Sequence, residues 1–405
     1  MMKVKSNNLL AIFVIILLGT IIGFVDYSAR CLIKPSSFDT RSVIINNLID
    51  QFDPFKNKGI TIDDIESVYS LPIEKKRELE ICRFQIVNKV VYGQSHLSIP
   101  HGSASNIYRV LGVALQRIVK THDVGNVDFI ISAVDSIDTA PGIEDIISNA
   151  PIFMMSKNLS SALEQKKLLM PDAYILTRKT WPALIKEINQ GSQQYPWHKK
   201  DSSKIFWRGA TSGGIYNLEQ YEKMPRLTLV MLSRLFPSLV DAQFTHYTDA
   251  FSKDDSGLDL LKALITILPN DGHVVEFEHL RYKYLISVDG NTCAWARVPW
   301  IMLSNSVLLK QETELTQFFY PAMQPYIHYV PLKKDLSDLF EKLAWLKDND
   351  AQAMKISNNA TNFIKQNLMP EDLDDYLAII LAQYNKLQTF EVNKHTLPLF
   401  TEIEY

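Results

Sequence analysis

Cysteine is scarce: the 405 residues hold three, Cys31, Cys82 and Cys293. They are far apart and form no C-x-x-C pair, which excludes a disulfide scaffold and a structural zinc site. Neither sign of charge is in excess. Lys plus Arg number 42 against 45 Asp plus Glu, a net charge of −3, so no electrostatic case exists for a nucleic-acid partner and any anion site must be local. No segment repeats at a fixed period, which excludes solenoids and propellers. Glycine is sparse at 15 residues, so a cluster of glycines is informative. What remains is a globular composition, 46% hydrophobic and 21% charged, at a length that suits two or three domains.

One run stands apart. From Leu9 to Val25 every residue is apolar, Gly or Thr, at the short limit of a bilayer span. Lys3 and Lys5 precede it, and Tyr27, Ser28 and Ala29 make a poor small-x-small cleavage site after it. Residues 1–30 are therefore expected to form an uncleaved transmembrane anchor, with a buried core helix as the alternative. Arg30, Lys34 and Arg41 follow the run closely, so the positive-inside bias is nearly balanced and leaves the orientation open.

Beyond the run, apolar strands alternate with helical periodicity. Ile73–Tyr92, charged then apolar, predicts a helix entering a core, and Asn106–Lys120 predicts another. Val127–Val134 and Pro151–Met155 predict strands. A polar stretch, Gln190–Lys204, predicts a linker. After it come strands at Lys204–Trp207, Asp241–Phe244, Tyr284–Val288, Ser306–Leu309 and Ile327–Val330. Helices are expected at Arg226–Phe236, Ala294–Leu303, Leu336–Leu346 and Asp350–Asn367. The fold class is α/β, in two halves with a cleft between them, and ligands of open parallel sheets sit at the carboxyl ends of strands. Divisions are expected at 31–200 and 201–385, with a tail at 386–405.

Three strand ends carry candidate chemistry. Phe206–Gly214, FWRGATSGG, offers Arg208, Gly209, Thr211 and Ser212 as a cationic fork, hydroxyls and close backbone for a diphosphate; the same spacing suits an ordinary glycine turn. It matches neither dinucleotide nor P-loop fingerprints. Asp289, Gly290 and Asn291 end the next strand and precede Arg297, a second anion site or a plain turn. Asp135 ends a first-half strand, where a carboxylate serves as a general base or as a helix cap. His273, Glu276 and His279 lack the metalloprotease spacing and are read as a solvated face. Asp348–Asp350 follows a helical segment, so that D-x-D triplet is read as a helix end. No metal site and no hydrolase triad are expected.

These elements, with Pro225–Arg226 and the segment FFYPAMQPYIHYVPLKKDLSDL from Phe318 to Leu339, resemble the lipopolysaccharide-modifying, capsule-associated and protein O-glucosyltransferase family, glycosyltransferase family 90. The first half matches more loosely through VDFIISAVD, PIFMMSKN, LMPDAYI and YPWHKK. The resemblance implies two Rossmann-like domains of the GT-B type and an inverting, metal-independent transfer from a nucleotide sugar, commonly UDP-linked. By the same resemblance Asp135 is the base, and Arg208, Gly209, Thr211, Ser212, Arg226, Asp289, Gly290 and Arg297 bind the donor. Arg297 neutralises the departing UDP. Ala210 and Gln317 stand where protein-glucosylating members carry an arginine and an acidic residue.

The expectation is therefore a UDP-sugar-dependent glycosyltransferase with no cofactor, acting on lipopolysaccharide or another cell-surface saccharide. A protein hydroxyl is the alternative acceptor, and a non-catalytic glycan-binding scaffold the rival class. The expected partners are the donor, a glycan or lipid-linked acceptor and the membrane, with no nucleic acid. The expected location is a bacterial inner membrane, spanned once, with the enzyme leaning towards the cytoplasmic face.

Overall fold

The computed structural model describes residues 39–96, 103–139, 142–164, 166–214, 224–245 and 276–401. Its first half is built on strands β1 (Ile81–Val87), β2 (Val90–Ser95), β3 (Val127–Ser132), β4 (Ile152–Met154), β5 (Lys157–Asn158) and β6 (Leu168–Leu169). Five of these form a mixed sheet in the order β2-β1-β3-β4-β6. β1 runs antiparallel to both β2 and β3, whereas β3, β4 and β6 are mutually parallel.

The second half contains β7 (Asp201–Gly209), β8 (Val240–Phe244), β9 (Tyr282–Ser287), β10 (Val307–Gln311), β11 (Leu315–Thr316) and β12 (Val330–Leu332). Its sheet, β12-β10-β9-β7-β8, is parallel throughout. β9 and β10 are fully or almost fully buried. This fits near-continuous apolar runs covered by helices on both faces. The chain is thus α/β, with one mixed and one parallel sheet.

Two features tie the halves together. β5 pairs antiparallel with β11, so a two-stranded ribbon joins them. The helix Pro370–Leu387 then leaves the second half and packs against Thr40–Asp50, Ser103–Thr121 and β3. Tyr384 on that helix lies 6.2 Å from Phe129 and 5.7 Å from Phe153, ring centre to ring centre. Residues beyond it continue into the same core, where Phe400 packs 6.2 Å from Phe84 and 5.5 Å from Tyr108. The segment expected as a tail from residue 386 is a core element of the first half.

Most elements lie where the periodicity put them, and the departures have local causes. The helix expected over Ile73–Tyr92 is a short helix, Ile73–Glu78, followed by the β1–β2 hairpin. Glu80, at φ 48, ends the helix, and Asn88 and Lys89, at φ 51 and 65, make the tight turn. That is the turn geometry whose twist matches a hairpin. β1 is buried along its whole length although Cys82, Phe84 and Ile86 alternate with Arg83 and Gln85. The linker expected at Gln190–Lys204 is instead the end of the helix Thr180–Gln194, a turn at Trp197–Lys199 and the start of β7.

The expected membrane location is corrected. Among the described residues no helix is long and apolar enough to cross a membrane. The anchor expected over residues 1–30 lies outside the described residues.

A buried ion pair fixes the first sheet. Arg83 on β1 and Asp128 on β3 are 3% and 2% exposed. Nε and Nη2 of Arg83 each donate to a different Asp128 oxygen at 2.8 Å, and Gln85 Nε2 adds a bond of 2.7 Å. Truncating Asp128 leaves the Arg83 charge buried with only Glu66, a half-exposed carboxylate 2.8 Å from Nη2, to offset it. Asp128→Ala is expected to cost about 3–5 kcal/mol of stability, read as a lowered urea midpoint; a midpoint within error of the parent contradicts this account.

Candidate active site

The cleft lies where β3 of the first half meets the ends of β7 and β9 of the second. A 260 Å³ cavity there is lined by Asp135, Ser212, Arg226, Asn291, Trp295 and Arg297, among others. Asp135 comes from the turn after β3; Ser212 comes from the turn after β7. Gly290 and Asn291 come from the turn after β9. Asp135, Ser212, Arg226, Gly290 and Arg297, expected from the sequence as site residues, therefore meet around one space.

Arg226 sits at the start of the helix Pro225–Leu235, whose first-position proline presets the helical φ. Its Nη1 donates to Ala210 O at 3.0 Å and to Ser212 Oγ at 2.6 Å. Nε donates to Asp289 O at 3.0 Å, and Nη2 to Val288 O at 3.1 Å. One guanidinium thereby holds both second-half turns. Gly290 permits this: a Cβ there would stand 2.8 Å from Arg226 Nη2 and from Ser212 Oγ.

Arg297 opens the helix Arg297–Leu303. Its Nη2 donates to Arg208 O at 2.8 Å, and among the described residues no carboxylate forms an ion pair with it. Burial, with the neighbouring Arg226 cation, pushes its pKa down to about 10. The Trp207 ring lies under both cations, 5.7 Å from Arg226 and 5.9 Å from Arg297. The ring's negative face offsets part of their repulsion.

The remaining expected residues lie around the cavity rather than on it. Arg208 turns to the other face of β7. Its Nη2 pairs with Asp241 Oδ1 at 2.8 Å and its guanidinium stacks over Phe206 at 4.1 Å. Asp289 accepts from Thr313 Oγ1 at 2.7 Å, and burial raises its pKa. Thr211 is fully buried. Gly209 faces the Trp207 ring, which would be 2.5 Å from an added Cβ. The residue His273 of the dismissed metal triplet lies outside the described residues. Asp350 binds Lys283 Nζ at 2.5 Å and Trp197 Nε1 at 3.0 Å at a helix junction.

Sequence reasoning treated Asn291 as turn chemistry, yet its Nδ2 donates to Asp135 Oδ2 at 3.3 Å across the halves. Ser156 and Thr292 share a buried hydroxyl contact of 2.6 Å nearby. Burial raises the Asp135 pKa, and the Asn291 bond opposes that rise. Trp295, at φ 45, stacks obliquely on Tyr174 of the first half, 5.9 Å away. Tyr174 also borders a 590 Å³ groove whose floor includes Ile107, Val110 and Leu184. Ala296 lies on the groove wall and Trp295 on the cleft wall, so the two spaces adjoin.

The model of the family described as "Glycosyl transferase family 90" matches residues 45–400. The chain belongs to that family. Among curated family relatives, Protein O-glucosyltransferase 1 of Bos taurus is 26% identical over 374 residues, 86% of each chain. Protein O-glucosyltransferase 2 of Danio rerio is 35% identical over 201 residues, 49% of this chain and 35% of that protein. Protein O-glucosyltransferase 3 of Mus musculus is 33% identical over 232 residues, 56% of this chain and 41% of that protein. For these last two the match spans less than half of the relative's length. Among solved structures, Anabaena Alr3699/HepE in complex with UDP-glucose aligns over 68% of this chain and 76% of its own, with TM-score 0.39 and 11% identity. A glycosyltransferase from Rickettsia africae covers 71% and 84%, with TM-score 0.37 and 12% identity.

The role of Arg226 in holding the family member's two turns is testable. A lysine reaches one turn but not both, so Arg226→Lys is expected to lower stability by about 1.5–3 kcal/mol, the range for a hydrogen bond to a charged group. A thermal midpoint equal to that of the parent removes Arg226 from this role.

Proposed function

We propose that this chain is an inverting, metal-independent glycosyltransferase of the GT-B type that moves glucose or a related sugar from a UDP-sugar to an acceptor hydroxyl. The observation that carries the reading is the cleft itself, where a half-buried carboxylate from one half faces an arginine from the other that has no ion-paired carboxylate among the described residues. In this reading the first half forms the acceptor side and the second half, with its parallel sheet, supplies the donor side.

Asp135 takes the proton from the acceptor hydroxyl as its oxygen attacks the anomeric carbon. The carbon–oxygen bond to UDP breaks on the opposite face, so a single displacement inverts the configuration. Arg297 meets the charge that develops on the leaving diphosphate, with the backbone of the Ser212–Gly213 turn close by. Arg226 holds that turn in place, and Arg208 and Asp289 support it from behind. Cationic side chains are given the work a divalent ion would otherwise do, hence no cofactor.

For the acceptor, a protein hydroxyl has the support of the curated relatives, whose names are those of protein O-glucosyltransferases. Lipopolysaccharide or another surface saccharide rests on the resemblance alone. The groove beside Tyr174 is a route by which an acceptor reaches Asp135 from the first half.

The deciding experiment incubates the chain with a panel of UDP-sugars, a hydroxyl acceptor (a serine-bearing protein or a lipopolysaccharide) and a chelator, and reads released UDP against a control without acceptor. Turnover of one donor that survives the chelator supports the reading; turnover that requires an added divalent ion overturns its metal independence. Asp135→Asn is expected to lose about 10²–10⁴-fold in kcat while binding UDP as the parent does. Arg297→Ala is expected to weaken UDP binding about 10-fold or more, as loss of a charge-assisted bond predicts. Calorimetric titration with UDP checks both, and an unchanged affinity in Arg297→Ala refutes its role.

A further inference from the structure

We propose that Asn291 is a positioning residue that ties the orientation and ionisation of the Asp135 carboxylate to the turn carrying Gly213. The inference rests on the reading of Asp135 as the base.

The side-chain amide of Asn291 spans the cleft. Its Oδ1 accepts from the Gly213 backbone N–H at 3.0 Å, while its Nδ2 donates to Asp135 Oδ2 at 3.3 Å. The assignment of the two amide atoms follows from the partners. A backbone N–H only donates, so Oδ1 must face Gly213, which leaves Nδ2 for a carboxylate that only accepts. Gly213 is at φ 103, a conformation open to glycine, and a Cβ added there would stand 3.4 Å from the Gly290 backbone. The turn after β7 and the turn after β9 are therefore locked to each other, and the amide transmits their position to the base.

The amide also sets the charge state of Asp135. Burial disfavours the carboxylate, and the Nδ2 bond favours it. Glu80 and Tyr174 approach the same carboxyl from the first half, and Arg226 and Arg297 line the cleft from the second. Asn291 is the side chain that bonds directly to it across the cleft. A base must be ionised to accept a proton, so losing this bond moves the pH needed for catalysis upward. When the turn holding Gly213 is displaced, the amide loses its anchor and the base loses its orientation. Donor-loop geometry and base readiness are coupled through one residue.

The test is a ¹³C NMR titration of the Asp135 carboxyl in the full chain labelled at aspartate, with its signal assigned by Asp135→Asn. In Asn291→Ala the midpoint is expected to rise by about one pH unit, as for a lost hydrogen bond to the charged form. In Asn291→Asp an acceptor for Gly213 N–H is kept while a second carboxylate faces Asp135, so the midpoint rises further. UDP affinity at pH 8, by calorimetry, is expected to stay within about threefold of the parent in Asn291→Asp and to fall more in Asn291→Ala, since only the latter frees Gly213. Midpoints equal to the parent in both variants overturn the proposal. The reading beneath it fails separately: if Asp135→Asn still releases UDP from the donor at the parent rate, Asp135 is not the base, whatever the titration shows.

Discussion

The guanidinium of Arg226 is the constraint on which the site depends. The turns after β7 and β9 leave adjacent parallel strands and present backbone carbonyls towards each other, an arrangement that repels unless a cation lies between them. Arg226 supplies that cation, with donors to Ala210 O, Val288 O and Asp289 O and to Ser212 Oγ. Its rigid, planar fork suits this better than the point charge of a lysine. Its own commitment to these four acceptors means that its main contribution is the shape of the cleft wall. On the proposed function, free charge for a diphosphate comes chiefly from Arg297.

The wall so built is of use only if the other half stays in register with it. Two hydrophobic clusters underlie the halves, but the larger contains residues from both, among them Phe129 and Phe153 with Val298, Phe318 and Tyr376. The β5–β11 ribbon, the Ser156–Thr292 contact and the returning helix Pro370–Leu387 cross the same boundary. A cleft lined from both sides thus inherits its width from core packing, which resists small displacement more than loop contacts do.

Much of this was legible in the sequence because parallel α/β architecture puts chemistry at strand ends, and strand ends are marked by the polar residues that follow an apolar run. Asp135, Ser212, Gly290 and Arg297 were found that way. The sequence was less informative where side-chain direction decides the role. Arg208 and Arg297 are both arginines near strand ends, yet β7 alternates, so Arg208 falls on the face of Phe206 and Asp241 while Trp207 faces the cleft side. Asn291 was hidden for another reason: its partner Asp135 is distant in sequence, and an Asp-Gly-Asn turn explains itself locally. The β1–β2 hairpin escaped for a different reason: Cys82, Phe84 and Ile86 alternate with Arg83 and Gln85, but the charged run Glu74–Glu80 just before them carries the helical pattern into the strand.

The cleft holds two groups whose charges are each disfavoured. Asp135 is raised by burial on one wall, and Arg297 is lowered by burial and by Arg226 on the other. They form no ion pair with each other, so neither relieves its neighbour directly. Desolvated charges interact strongly with whatever enters, because the effective dielectric is low there. In the proposed reaction a diphosphate against Arg297 restores a counter-charge to the arginine, and an acceptor hydroxyl against Asp135 supplies a proton donor to the carboxylate. The cost of holding both groups partly unsatisfied is met by the fold, through Arg226 and the shared core, before any substrate arrives. That cost is recovered when both substrates are present, which favours the state in which transfer occurs over either substrate bound alone.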